Sequence, residues 1–186
     1  MTVFDFDKTI FRVDSTVAFW KYCIRRKKSL VFLLPKQGVY GVLHGLKIIS
    51  LTAFKEKFFC FFKHIDAESW AEAFWAENEG GVMPWAREAI AEGDYVVSAS
   101  PEFLLRPICK KLGVNLIGTA ADPKTGKIAG ENCKGEEKIR RLAAVGVTKW
   151  EKSYSDSLSD TPILSVADEG YLVDNKKGTI KRFVKA

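Results

Sequence analysis

The sequence predicts an α/β fold: a three-layer core built on a parallel sheet, with a helical cap inserted after the first strand. Three observations carry this. Outside residues 14–92 the hydrophobic pattern runs strand, helix, strand, helix, strand, the alternation that a parallel sheet requires. Three of those strands end in polar chemistry, at Asp5 and Asp7, at Ser98 and Ser100, and at Asp156 with Asp160; open α/β sheets bind ligands outside the carboxyl ends of their strands. Between the first two strands lies a long apolar, aromatic and basic stretch with helix signals. The expected division is 1–13 and 93–186 for the core and 14–92 for the cap.

The elements follow from local chemistry. Residues 2–6 are a short apolar strand. Asp14-Ser15-Thr16 reads as a helix start before the apolar run Val17 to Ile24. Residues 25–63 alternate basic clusters with apolar runs and contain no charge-free stretch long enough for a transmembrane helix. They read as buried cap helices or as helices lying in a membrane surface. Asp66 caps a helix to Asn78, and Pro84 opens another that Gly93 closes. Tyr95 to Val97 is a strand, Pro101 to Leu112 a helix kinked at Pro107 and stopped by Gly113, and Asn115 to Thr119 a strand. Pro123 to Lys127 is a hairpin turn. A helix spans Glu136 to Ala144, a strand Trp150 to Ser155, and a helix surrounds Pro162 to Val166. Tyr171 to Val173 and Thr179 to Val184 are the final strands.

Composition narrows the function. The 186 residues carry a formal net charge of +6, which suits anionic partners such as phosphates, anionic lipid or nucleic acid. Cys23, Cys60, Cys109 and Cys133 are far apart. They read as reduced thiols in a cytoplasm-like compartment, and no signal peptide is expected before the first strand. With His44 and His64 the only histidines, both in the hydrophobic-basic stretch, a histidine triad or His-rich zinc site is not expected.

Asp5-Phe6-Asp7-Lys8-Thr9 is the most informative segment. Two carboxylates alternate with an aromatic at strand spacing and so point to one side. Paired acids at the end of a buried strand repel and are costly to desolvate, a conflict that a divalent cation removes. Asp156 and Asp160 stand four apart where a strand gives way to a helix, as metal-site acids or as an N-cap with an acidic first turn. Ser100-Pro101 suits a helix start, either as a cap alone or with backbone N–H groups that hold a phosphate. Lys134 and Lys138 flank another helix start, where a cation opposes the helix dipole and a role toward an anion gains weight.

The order Asp-x-Asp-x-Thr, Ser after the second strand, Lys opening a helix, then Asp-x-x-x-Asp resembles the four motifs of the haloacid dehalogenase superfamily. The resemblance spans essentially the whole chain and implies a Rossmann-like core. The helical insertion resembles the cap of the phosphoserine phosphatase-like branch (subfamily IB). Cys133 to Leu142 and Tyr154 to Leu164 look closest to phosphatidylglycerophosphatase C-type proteins. The resemblance implies a Mg²⁺-dependent phosphomonoester hydrolase. Asp5 is then the nucleophile that forms an aspartyl-phosphate, and Asp7 the acid and base. Thr9 orients the loop, and Ser98 and Lys138 bind the phosphoryl group. Asp5, the Asp7 carbonyl and Asp156 hold Mg²⁺, with Asp160 supporting that shell. Lys138 is preferred to Lys134 because Lys138-x-x-x-Leu142 fits the family's lysine-to-leucine register.

Departures from the pattern are Lys8 and Ser157, each in place of a common glycine. Asp14 stands where phosphoserine phosphatases place an acid for the substrate's amino group, and also where a helix needs its N-cap. No arginine occurs around Phe54 to Phe61, which argues against phosphoserine, whose buried carboxylate needs a cation. The expected partner is a small-molecule or lipid-linked phosphomonoester, with peripheral membrane contact from Arg25 to Lys63 and a cytoplasmic or membrane-associated location. Phosphoserine or another small metabolite is the alternative substrate. A non-enzymatic basic module on nucleic acid or membrane is the alternative of another class. Nucleic acid is not expected, since unmetallated paired acids repel phosphates.

Overall fold

The computed structural model describes residues 1–184. Lys185 and Ala186, the end of the expected core segment 93–186, lie outside them. One six-stranded sheet is formed by β1 (Thr2–Phe4), β2 (Tyr95–Pro101), β3 (Asn115–Thr119), β4 (Lys152–Ser155), β5 (Glu169–Asp174) and β6 (Thr179–Arg182). Its order is β3-β2-β1-β4-β5-β6. The first five strands pair in parallel, whereas β6 pairs antiparallel with β5. The parallel sheet therefore acquires an antiparallel edge, because the short turn at residues 175–178 leaves no room for a crossover helix.

Alternation along the strands sorts the apolar side chains into two layers. Phe4, Val96 and Leu116 join one cluster with α1 (Ser15–Arg26), α4 (Ala67–Asn78) and α6 (Glu102–Leu112). Val3, Val97 and Ile117 join another with α7 (Glu136–Ala144) and α8 (Thr161–Val166). The expected three layers are present. Helix boundaries follow capping chemistry: the Asp14, Ser50 and Asp66 side chains accept from the backbone N–H of Val17, Ala53 and Ser69. Helix α6 runs through Pro107 and ends at Gly113.

The remaining helices α2 (Leu34–Gly45), α3 (Leu51–Phe58) and α5 (Pro84–Ala89) also lie between β1 and β2. Phe59, Phe61 and Phe62 share the apolar cluster of Phe4, Phe103 and Leu104, so packing is continuous across the expected division at residues 13/14 and 92/93. In contrast, α3 buries no side chain fully, and α2 only Gln37. A core turn straps this cover down. Gly126, at φ +73°, lies so close to the Phe59 backbone that any Cβ would collide with it, and the Ile128 N–H donates to Glu56 Oε1 at 2.9 Å. The four cysteines are unbridged; burial pushes the Cys23 thiol up to about 12 and that of Cys133 to about 11.

Candidate active site

Strand β1 delivers the first acid. The Asp5 N–H donates to the Tyr154 carbonyl at 2.9 Å, which extends the β1–β4 ladder by one bond and fixes Asp5 at the sheet's carboxyl edge. Its Oδ1 accepts from Lys138 Nζ at 2.7 Å and its Oδ2 from Thr9 Oγ1 at 3.2 Å. Thr9 Oγ1 in turn accepts the Asp156 N–H at 2.9 Å, tying the loop after β1 to the end of β4. Helix α7 places Lys138 in its first turn, where the ammonium is fully buried and also donates to Asp160 Oδ2 at 2.7 Å. Ser155 Oγ holds the same Asp160 oxygen at 2.8 Å. Burial alone would push the lysine's pKa down; Asp5 and Asp160 overrule it and hold Lys138 well above the ordinary range.

Asp7 is held differently. Its Oδ1 accepts the Ser15 N–H at 2.7 Å, and its Oδ2 accepts from Ser100 Oγ at 2.5 Å. Ser100 is therefore no helix cap. Strand β2 continues to Pro101 with a register irregularity between Val97 and Pro101, and that irregularity turns the Ser100 hydroxyl toward Asp7. Ser98 is buried, and its Oγ accepts the Ser100 N–H at 3.1 Å. Its neighbour Ala99, not Ser98, lines the cavity between these groups.

That cavity, of about 290 Å³, is walled by Asp5, Asp7, Lys55, Lys138, Asp156 and Asp160 among others. Lys134 and Asp14 reach its rim; Asp14 also caps α1. Lys8, in the left-handed region at φ +57°, stands where a glycine would be unstrained, and its side chain also lines the rim. Lys55 of α3 was not singled out by the sequence. Its Nζ donates to the Ala99 carbonyl and to Asn132 Oδ1, each at 2.7 Å, and burial lowers its pKa to about 8. No local pattern marks a lysine whose partners lie 44 and 77 residues downstream.

The donor set fits a hard divalent cation. Burial raises Asp5 to about 7 and also pushes Asp7 and Asp156 up, with a neighbouring carboxylate adding to the rise in each case. Among the described residues no three acidic, histidine or cysteine side chains close into a ready-made cage. A cation would instead use the carboxylates of Asp5 and Asp156 with the Asp7 main-chain carbonyl. Mg²⁺, which keeps several waters, suits so sparse an oxygen set.

A family model described as haloacid dehalogenase-like hydrolase matches residues 2–165. The chain belongs to that family. A curated relative of this hydrolase, Protein CicA of Caulobacter vibrioides, is 31% identical over 191 residues, which cover 93% of this chain and 86% of that protein. Among solved structures, a protein of unknown function from Bordetella pertussis Tohama I superposes with TM-score 0.75 at 20% identity, covering 91% of the hydrolase and 87% of that chain. A phosphoserine phosphohydrolase-like protein from Francisella tularensis subsp. tularensis SCHU S4 gives 0.60 at 14% identity, covering 93% and 86%. These likenesses establish the α/β fold.

Proposed function

We propose that the chain is a Mg²⁺-dependent phosphomonoester hydrolase of the phosphoserine phosphatase-like branch, working through an aspartyl-phosphate. The observation that carries the reading is Lys138 Nζ at 2.7 Å from both Asp5 and Asp160 in a cavity that also opens onto Asp7 and Asp156. An Asp5 oxygen attacks phosphorus as the bond to the leaving oxygen breaks. Asp7, whose burial favours its protonated form, gives that oxygen its proton. Water then attacks the phosphoryl group, Asp7 takes a proton from it, and inorganic phosphate leaves as the Asp5 carboxylate is restored. Bound Mg²⁺ would screen the repulsion between Asp5 and the incoming phosphate. Lys138 stabilises the charge on both, and Asp160 positions Lys138. Thr9 orders the loop, and Ser98 supports the backbone around Ala99 and Ser100 that faces the phosphoryl group. A panel of phosphomonoesters, read by free phosphate with Mg²⁺ and with chelator, tests this. Release from no substrate overturns it.

The leaving group is amphiphilic, a lipid-linked phosphate included. Beside Asp7 and Ser100 a second cavity of about 210 Å³ is lined by Val17, Phe54, Phe58 and Phe59, with Lys55 its one cation among the described residues. Lys55 is already committed to Ala99 and Asn132, which disfavours phosphoserine. The aromatic residues suit an apolar chain, and Asp14, which also lines this cavity, suits a polar or cationic head beside it.

Two further results are expected. Between the ordinary carboxylate pKa and about 7, folded metal-free protein keeps an Asp5 proton that the unfolded chain has lost, so its stability falls as pH rises through that window. The rise in thermal midpoint on adding Mg²⁺ should therefore grow from about pH 5 to about pH 8; a constant increment contradicts it. Ser100→Ala removes the hydrogen bond that lowers the Asp7 pKa. The alkaline limb of kcat/KM, which reports loss of that proton, should move to higher pH; an unmoved limb contradicts it.

A further inference from the structure

We infer that the outer face of α2 is a docking surface for an anionic lipid bilayer. Val39, Val42 and the C-cap residue Leu46 recur at spacings of three and four residues, one stripe of α2 with Pro35 at its start, and Phe32 stands in the 3-10 helix (Lys28–Leu33) that leads into α2. The opposite side of α2 makes the attachments. Gln37 accepts from Trp20 Nε1 and donates to the Phe58 carbonyl, Gly41 abuts Phe54, and the His44 ring stacks on Phe54 at 5.3 Å. The apolar stripe is left to solvent. Exposure is 84% at Phe32, 58% at Val39, 62% at Val42 and 66% at Leu46, with Ile48 beyond the helix at 64%. So contiguous an apolar band on a small surface marks an interaction site.

Charge selects the occupant. From Ser15 to Lys55 the chain carries eight lysines and arginines and no aspartate or glutamate. Lys27, Lys28, Lys36 and Lys47 are exposed around the stripe. A two-fold contact with a second copy would set these cations against themselves. An anionic bilayer takes both features at once: apolar side chains enter the acyl boundary, and the lysines meet the anionic headgroups. Among the described residues no helix is long and apolar enough to cross a membrane, so α2 lies in the interface.

The test is flotation of the full chain with phosphatidylcholine vesicles, with and without phosphatidylglycerol. The protein should float with the phosphatidylglycerol vesicles at low salt, less so as salt rises, and poorly with phosphatidylcholine alone. Phe32→Glu with Leu46→Glu should keep the circular dichroism spectrum and weaken vesicle binding at least roughly tenfold. Three results overturn the inference: no flotation at low salt, flotation unchanged in the double variant, or a dimer without lipid that the variant dissociates. Vesicle binding needs no turnover. Its failure leaves the hydrolase reading standing, and a silent phosphate assay leaves flotation to be judged separately.

Discussion

Asp5→Asn should lower turnover of any phosphomonoester roughly 10⁴-fold or more, the scale on which a missing nucleophile is felt. An amide nitrogen or oxygen cannot take phosphorus and later release it to water. The same change should not weaken the metal-free protein. Asp5 is buried beside Asp160 and Asp7; burial disfavours its charge most, Lys138 partly offsets that, and the two acids add to the burden, so that its pKa still rises to about 7. A neutral isostere relieves that burden. Thermal melts in chelator at neutral pH should therefore give the variant a midpoint equal to or above wild type. Free-phosphate assays and melts read the two effects separately. Retained turnover refutes the mechanism, and a collapsed midpoint refutes the electrostatic account of the site.

Lys138→Met is the second large effect, and it strikes stability as well as chemistry. The lysine is the shared counter-ion of Asp5 and Asp160. Removing one partner of a buried ion pair leaves an uncompensated charge and costs about 3–5 kcal/mol, here lowering the thermal midpoint by roughly 10 °C. Adding Asp160→Asn should restore part of that midpoint, because one orphaned carboxylate disappears, and should restore no turnover. Recovered activity in the double variant would mean that Lys138 merely props the fold. Lys134→Met, at the rim, should leave the stability within about 0.5 kcal/mol of wild type.

The strand ends were readable because their signal is local. A run such as Met1 to Phe6 that stops at alternating acids needs no distant information to be seen as a strand meeting solvent. Asp5, Asp7, Lys138, Asp156 and Asp160 do share one cavity, as their places at strand ends and helix starts led one to expect. What stayed hidden depended on long-range geometry. The irregular pairing of β2 reverses simple alternation, so Ser100 reaches Asp7 while Ser98 turns inward. Lys55 enters the site only because α3 folds back across Ala99. The antiparallel β6 is set by its pairing with β5, which hydrophobic alternation does not encode. Lys8 was visible as an odd residue; its left-handed backbone was not.

The uneven anchoring of the cover has a consequence for traffic. Phe59, Phe61 and Phe62 are locked into the same aromatic mass as Phe19, Phe74 and Phe103, so that portion is a fixed floor and cannot swing without tearing the interior. The hairpin of α2 and α3 has no such ballast. It is the part of the cover that local opening would move most readily: tilting it away asks that Lys55 let go of Ala99 and Asn132, that Gln37 part from Trp20, that Glu56 release Ile128, and that a few half-covered rings slide. In the proposed hydrolase, such an opening would let reactant and product pass beneath one thin leaf, and the ease of lifting that leaf would bear on the pace of exchange.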